Sequence, residues 1–209
     1  IKADVENEEK VEEDKNKNKG DFDTINIEEI KSEYIQRSNY IPLYDLQNYK
    51  ELFKGFIVGQ ENDGTPVTDC WLDYYKVGFR KMINQAGERS LICAVLPRRT
   101  AHIHGVISAT FSRGYNTVDM AALCASIVMD FYLKTIATQN LTPGRLQTFP
   151  LGVDKKYQAA LYSRTLLLNC LTTAYADLWQ EMWDGAYKNE IIGTLDFYKR
   201  PEPRFQYFD

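Results

Sequence analysis

Apolar and polar positions are distributed very unevenly along this chain. Residues 1–24 are mostly Lys, Glu, Asp and Asn, with almost no large apolar side chain. Such a stretch has little to bury against its ordering entropy, so it reads as a charged linker or, given its Glu and Lys content, a helical lead-in. Apolar residues then recur at 27, 30, 34 and 35, a helical spacing that Pro42 interrupts. Residues 40–56, rich in Tyr, Leu and Phe, predict a strand passing into a short helix. The polar segment 59–69 carries Asp63-Gly64 and Pro66 as turn signals and reads as a loop. Residues 71–82 are aromatic and β-prone. Residues 90–96 and 105–111 are apolar and predict two strands, which would form a hairpin if they paired with each other.

Residues 116–138 predict one long helix capped by Asn116 or Thr117. Apolar positions surround most of its circumference, so it is expected to be buried. Pro143-Gly144 then marks a turn, followed by a short strand closed by Phe149-Pro150-Leu151. Residues 154–185 read as one or two helices carrying Leu161, Leu166, Leu167, Leu171, Leu178 and Met182. The final run FYKRPEPRFQYFD contains two prolines that prevent a regular helix. No internal repeat is visible. The expected fold is α+β, a mixed sheet with a long buried helix and a C-terminal helical part. The expected organisation is a lead-in over 1–26, an α+β domain over 27–153, and a helical segment and tail over 154–209.

Composition narrows the class without choosing a function. The 209 residues are 44% hydrophobic and 26% charged, ordinary for a soluble domain able to bury a core. No apolar run reaches the length of a membrane span and no signal peptide is visible, so a cytoplasmic protein without a membrane partner is expected. The chain begins with Ile1, which reads as a fragment or a processed product. Cys70, Cys93, Cys124 and Cys170 stand singly among apolar residues, as buried free thiols do.

Charge distribution changes the picture more than net charge. The total is −4, but residues 1–26 alone hold five Lys against nine Asp or Glu. Residues 71–113 carry seven basic groups (Lys76, Arg80, Lys81, Arg89, Arg98, Arg99 and Arg113) against Asp73 and Glu88. A locally basic face matters more for phosphate binding than the whole-chain sum, although an ordinary solvated surface also reaches such a balance. Pro97 ends a strand ladder, so Arg98 and Arg99 are expected to project from a strand end or loop, contacting DNA or forming a salt-bridged turn.

His102 and His104, two apart, share a face if the backbone is extended. They read as phosphate or base contacts or as a hydrogen-bonding surface pair. A metal site is not expected, because no third ligand is apparent. Arg113-Gly114 precedes a helix N-terminus, an anion site by its dipole and free N–H groups. Trp71, Tyr74, Tyr75 and Phe79 alternate with Lys76, Arg80 and Lys81; base stacking is one reading and core packing the favoured one. Trp179 and Trp183, four apart, share a helix face suited to core or an interface. Asp177, Glu181 and Asp184 form no evident catalytic pair.

Gly87-Glu88-Arg89 before a strand, Pro97-Arg98-Arg99, the helix with Asp130-Phe131-Tyr132, residues 146–151 and then RTLLLNCLTTAYADLW (164–179) form an ordered series. That series resembles the C-terminal target-recognition region of adenine-specific DNA methyltransferases of the type IIG restriction–modification and BREX kind, over roughly residues 40–183. The resemblance implies double-stranded DNA as partner. It also implies an upstream methyltransferase domain, with or without a nuclease, in the same polypeptide. Such methyltransferases carry an Asn-Pro-Pro-Tyr-type loop and a Gly-rich cofactor turn, and neither occurs here. The implied fragment is therefore non-catalytic and without its own cofactor; S-adenosylmethionine would bind the other domain. Its DNA-binding residues would be drawn from Lys76, Arg80, Lys81, Arg89, Arg98, Arg99, His102, His104 and Arg113. A protein–protein interaction or structural module is the other reading.

Overall fold

A computed structural model of the chain describes residues 26, 29–34, 45–52, 54–136 and 139–190. The chain divides into two units, Ile1–Lys31 and Ser32–Asp209, and the fold described here is that of the second. The lead-in 1–24, residues 27–28 and 35–37 of the helix expected over 27–37, residues 40–44 and the final run FYKRPEPRFQYFD lie outside the described residues; the described part of that expected helix, 29–34, is turn and irregular chain rather than α-helix.

A short helix α1 (Leu46–Leu52) leads into an antiparallel hairpin of β1 (Lys54–Gln60) and β2 (Pro66–Cys70). The segment expected to be a loop over 59–69 is thus largely strand. Its turn is where the sequence placed it. The Gly64 N–H donates to the Glu61 carbonyl at 3.0 Å with Gly64 at φ +87°, and the Asp63 carboxylate accepts from the Thr65 N–H at 2.9 Å. Four of the five β2 residues are exposed, so no buried face marked the strand in the sequence. A 3₁₀ turn at Trp71–Asp73 then redirects the chain.

The main sheet has three strands in the order β4–β3–β5, with β3 (Lys76–Arg80) between β4 (Cys93–Leu96) and β5 (Val106–Thr110). Both pairings are antiparallel. The α+β class stands, and the sheet expected to be mixed is antiparallel throughout the described residues. The period of two sorts β3 by face. Val77 and Phe79 are fully buried and join the core with Val95, Ile107 and Ala109. Lys76, Gly78 and Arg80 take the other face, level with Thr110, Ser108 and Val106.

The hairpin expected between 90–96 and 105–111 does not form, because β3 separates them. Two antiparallel neighbours of one strand run parallel to each other. The chain leaving β4 must therefore return along the sheet before β5 begins. Residues 97–105 make that return as a strap across the outer face. The Lys76 ammonium donates to the Thr100 carbonyl at 2.9 Å, and His102 Nε2 lies 2.8 Å from Ser108 Oγ. The Arg99 N–H donates to the Leu72 carbonyl at 2.6 Å. Leu96 packs over Gly78, where a Cβ would lie 2.7 Å from Leu96 Cδ1.

The single long helix expected over 116–138 is two helices, α2 (Gly114–Cys124) and α3 (Ile127–Ile136), bent by 74° at the break. Ser126 makes the break. Its hydroxyl accepts the Met129 N–H at 3.2 Å, an N-cap that starts α3, while its own N–H donates to Leu123. The helix α2 is buried, as expected, but α3 exposes Ile127, Val128 and Phe131. No single helix among the described residues is long and apolar enough to cross a membrane.

The strand expected at 146–151 does not form: Leu146 ends a helical turn, α4 (Pro143–Leu146), with Thr142 as N-cap and Pro143 at the first position, and residues 147–151 are turn and irregular chain. Helix α5 (Lys155–Asn169) starts at an Asp154 cap, and α6 (Ala176–Met182) follows a 3₁₀ turn at Thr173–Tyr175. Between them they close the edge of β4: the Val95 N–H donates to Asn169 Oδ1 at 3.1 Å and its carbonyl accepts from the Tyr175 hydroxyl at 2.8 Å. The four cysteines are free; Cys70, Cys124 and Cys170 are buried and Cys93 is half-buried.

Candidate nucleic-acid interface

Three of the nine basic residues singled out from the sequence are committed to the fold. Lys76 is fully buried under the strap, with its ammonium on the Thr100 carbonyl and 5.2 Å from the Trp71 ring. Burial pushes it down to about 8. It cannot meet a phosphate while the strap is closed. Arg89 donates to the Ala125 carbonyl at 2.8 Å and sits 3.7 Å from the Asp130 carboxylate, so it holds the α2–α3 break. Arg98 pairs with Asp177 at 2.9 Å and lies 4.7 Å over the Tyr75 ring, the salt-bridged alternative of the two foreseen.

Five of the other six fall at the two ends of the sheet, and His102 lies on the strap level with mid-strand Ser108. The partners Lys76↔Leu96 and Lys76↔Thr110 bring the C-terminal ends of β4 and β5 to one end. Arg98 and Arg99 lie just beyond the first, and Arg113 just beyond the second. A hairpin would have set them a strand length apart. Arg99 adopts φ +61°, a left-handed conformation costing an ordinary residue on the order of 1 kcal/mol. Arg99 and Arg113 are exposed. The N-terminus of α2, expected as an anion site, already holds a carboxylate: the Gly114 N–H donates to Glu181 at 2.9 Å. A Cβ at Gly114 would lie 2.5 Å from Glu181 Oε2, so this glycine admits a side chain of the fold itself. Asp177 and Glu181 thus temper the charge at this end.

The opposite end carries Arg80, Lys81 and His104. Arg80 is exposed and sits at the end of β3, opposite Val106. The Lys81 N–H donates to the Gly105 carbonyl at 3.0 Å, which pins the end of the strap, and the Lys81 ammonium meets His104 Nε2. His102, further back on the strap, bonds Ser108 and approaches the Ile103 carbonyl at 3.2 Å through Nδ1. The two imidazoles meet different partners, Lys81 for His104 and Ser108 for His102. Among the described residues no carboxylate is paired with Arg80, Lys81 or His104, and no group of three or more His, Cys, Asp or Glu is placed to hold a metal.

Two buried carboxylates hold loops in a way the sequence did not disclose: Asp119 was not singled out, and Asp130 was noted only within the ordered series. Asp119 of α2 accepts from the N–H groups of Gly152 and Val153 and from the Tyr162 hydroxyl, which also meets Tyr115 at 3.0 Å. Burial and the bond to Asp119 push the Tyr162 phenol far up. Asp130 of α3 accepts from the Ser90 and Leu91 N–H groups, each at 2.7 Å. Lys134 lies 3.3 Å from Asp130 and donates to the carbonyls of Gly87 and Glu88. Each carboxylate fastens a loop to a helix. Their only sequence signal was an acidic residue in an otherwise apolar run.

The aromatic residues are mainly packing. Tyr75 stacks on Tyr175 at 6.1 Å, and the Trp179 indole N–H donates to the Cys170 carbonyl at 3.0 Å. Trp183 makes an edge contact with Tyr187 at 6.0 Å. No family model, no curated protein and no solved structure matches the chain.

Proposed function

We propose that this chain is a DNA-binding target-recognition module of a larger adenine-specific DNA methyltransferase or restriction–modification protein, non-catalytic by itself. The observation that supports it most is the Arg80–Lys81–His104 end of the sheet, where Arg80 and His104 are exposed, Lys81 is half-buried, and no neutralising carboxylate is paired with them among the described residues. The ordered series of sequence segments supplies the identity of the polyanion. Four steps of about 3.4 Å along β3 separate the two sheet ends by about 14 Å, comparable to the roughly 12 Å width of a major groove. Arg80 and Lys81 at one end and Arg99 and Arg113 at the other would then straddle that groove on its two phosphate walls. The strap with His102 would face the base edges. Target adenine chemistry, and S-adenosylmethionine with it, belongs to a separate catalytic domain.

Fluorescence anisotropy with a short duplex tests this. Expected affinity is on the order of micromolar to 0.1 mM. Four phosphate contacts predict a salt slope near −3.6, or about a hundredfold loss between roughly 50 and 200 mM salt. The double change Arg80→Ala with Lys81→Ala should weaken binding several-fold more than Arg98→Ala, whose guanidinium is already engaged. No binding at low salt, or equal effects of the two variants, would overturn the reading. Calorimetry with S-adenosylmethionine should be silent.

One observation favours a second reading, a protein–protein module. Ile127, Val128 and Phe131 on α3 are 78, 75 and 68% exposed and share a face. Light scattering across a range of concentrations, compared between the native chain and Phe131→Asp, tests for self-association through that face.

A further inference from the structure

We propose that duplex binding at the Arg80–Lys81–His104 end takes up a proton on His104, so that affinity rises as pH falls through the imidazole range. The inference rests on the nucleic-acid reading above and adds the regulation of the same site.

It starts from the contact between Lys81 Nζ and His104 Nε2. An ammonium has three donors and no acceptor, so the imidazole must present a lone pair at Nε2. In that contact Nε2 is the acceptor, which leaves the ring hydrogen on Nδ1. His102 carries no such restriction. Its Nδ1 faces the Ile103 carbonyl, which only accepts, and its Nε2 faces the Ser108 hydroxyl, which gives or takes. A protonated His102 satisfies both partners, whereas a protonated His104 leaves two cations in contact.

Among the described residues no carboxylate is paired with His104 or Lys81 to offset that repulsion. From β3 and its extension come Arg80 and Lys81, both basic. From its own strap comes His102, and β5 brings Val106 and Ser108. The segment bonded to the Lys81 carbonyl and paired with Met82 brings Asn140 and Leu141, neither of them charged.

A phosphodiester placed between Lys81 and His104 reverses the preference. Its oxygens accept a hydrogen bond from the ammonium and another from Nε2–H, so the shared bond is replaced by two charge-assisted ones. The balance is one proton from solvent to His104 Nε2 per phosphate bound. No covalent bond forms or breaks. The chain has only two histidines, and imidazole is the side chain whose charge changes between about pH 5 and 8. Between about pH 5.5 and 7, where Lys76 at about 8 stays almost wholly protonated, side-chain proton linkage is therefore confined to His102 and His104.

The experiment is anisotropy with one short duplex at constant ionic strength, between about pH 5.5 and 7. The native chain should gain roughly tenfold in affinity towards the acid end, since one linked proton gives at most one decade per pH unit. The gain should vanish in His104→Gln and persist in His102→Gln. Calorimetry of the native chain in two buffers of different ionisation enthalpy should count about one proton taken up, a readout that needs no variant to fold. Binding that is independent of pH, a slope that survives His104→Gln, or a proton count of zero overturns this inference alone. Absence of binding at every pH overturns the nucleic-acid reading with it.

Discussion

At Asp130 one buried carboxylate gathers the N–H groups of Ser90 and Leu91, the Lys134 ammonium and, at 3.7 Å, the Arg89 guanidinium. Burial alone would raise its pKa, but the bonds from Leu91, Ser90 and Lys134 outweigh it and hold the carboxyl below the usual range. Asp130→Ala strands two buried N–H groups and a lysine and is expected to cost about 2–4 kcal/mol in urea denaturation. The pH dependence follows from the sign of the shift. A folded pKa below the unfolded value of about 3.9 gives stability that is present above about pH 4 and lost as pH falls further. Asp130→Asn should flatten that acid limb; an unchanged limb would assign it to other carboxylates.

Lys76 has the opposite sign. Burial holds its folded pKa at about 8, below the ordinary value, so the fold disfavours the charged form. Stability should therefore rise as pH climbs from about 8 towards about 10.5, by roughly 3 kcal/mol at most. Lys76→Met should remove the rise, read from urea midpoints at several alkaline pH values.

Elements are held to one another by a few polar ties across apolar contacts. The outward N–H and carbonyl of Val95 on β4 are satisfied by Asn169 of α5 and by Tyr175. An edge strand is thereby covered without a further strand. Tyr175→Phe leaves that carbonyl unpaired in a buried place and should cost about 1–3 kcal/mol, measured by thermal or urea unfolding. Gly114→Ala pushes a methyl into Glu181 and Leu178, and it should destabilise the α2–α6 contact by about 1–3 kcal/mol while leaving helix content unchanged by circular dichroism.

Element types were largely legible. Val77 and Phe79 alternate with Lys76, Gly78 and Arg80 on a short strand, and Thr142-Pro143 carries a cap signal that reads equally as a turn. The helix break at Ser126 was harder. A serine inside an apolar run also fits a helix interior, and only the Met129 N–H and the Arg89 bond to Ala125 show it as a cap.

For the whole molecule, the buried hydrophobic residues among the described ones run from Cys70 to Tyr187. Residues 1–24 have almost no large apolar side chain to add to that core. Deleting them should move the melting temperature by no more than a degree or two, since a change near zero kcal/mol shifts a domain of this size little. A loss of many degrees would show that the segment packs on the domain.

The amino-acid sequence by itself determined the α+β class, the strands β3 to β5, the apolar helical run that the fold divides into α2 and α3, and the C-terminal helices. Those follow from local periodicity and capping, which each segment carries in its own residues. It also marked the basic segment 71–113. Only the tertiary structure decided which of its charges are free. Strand order put β3 between β4 and β5, and that single choice turned a presumed hairpin loop into a strap. It buried Lys76, drew Arg99 and Arg113 to one end and set His104 against Lys81 at the other. Pairing between strands depends on contacts between distant segments, which periodicity does not encode. A surface charge is free or neutralised according to a neighbour such as Asp177, which lies 79 positions from Arg98.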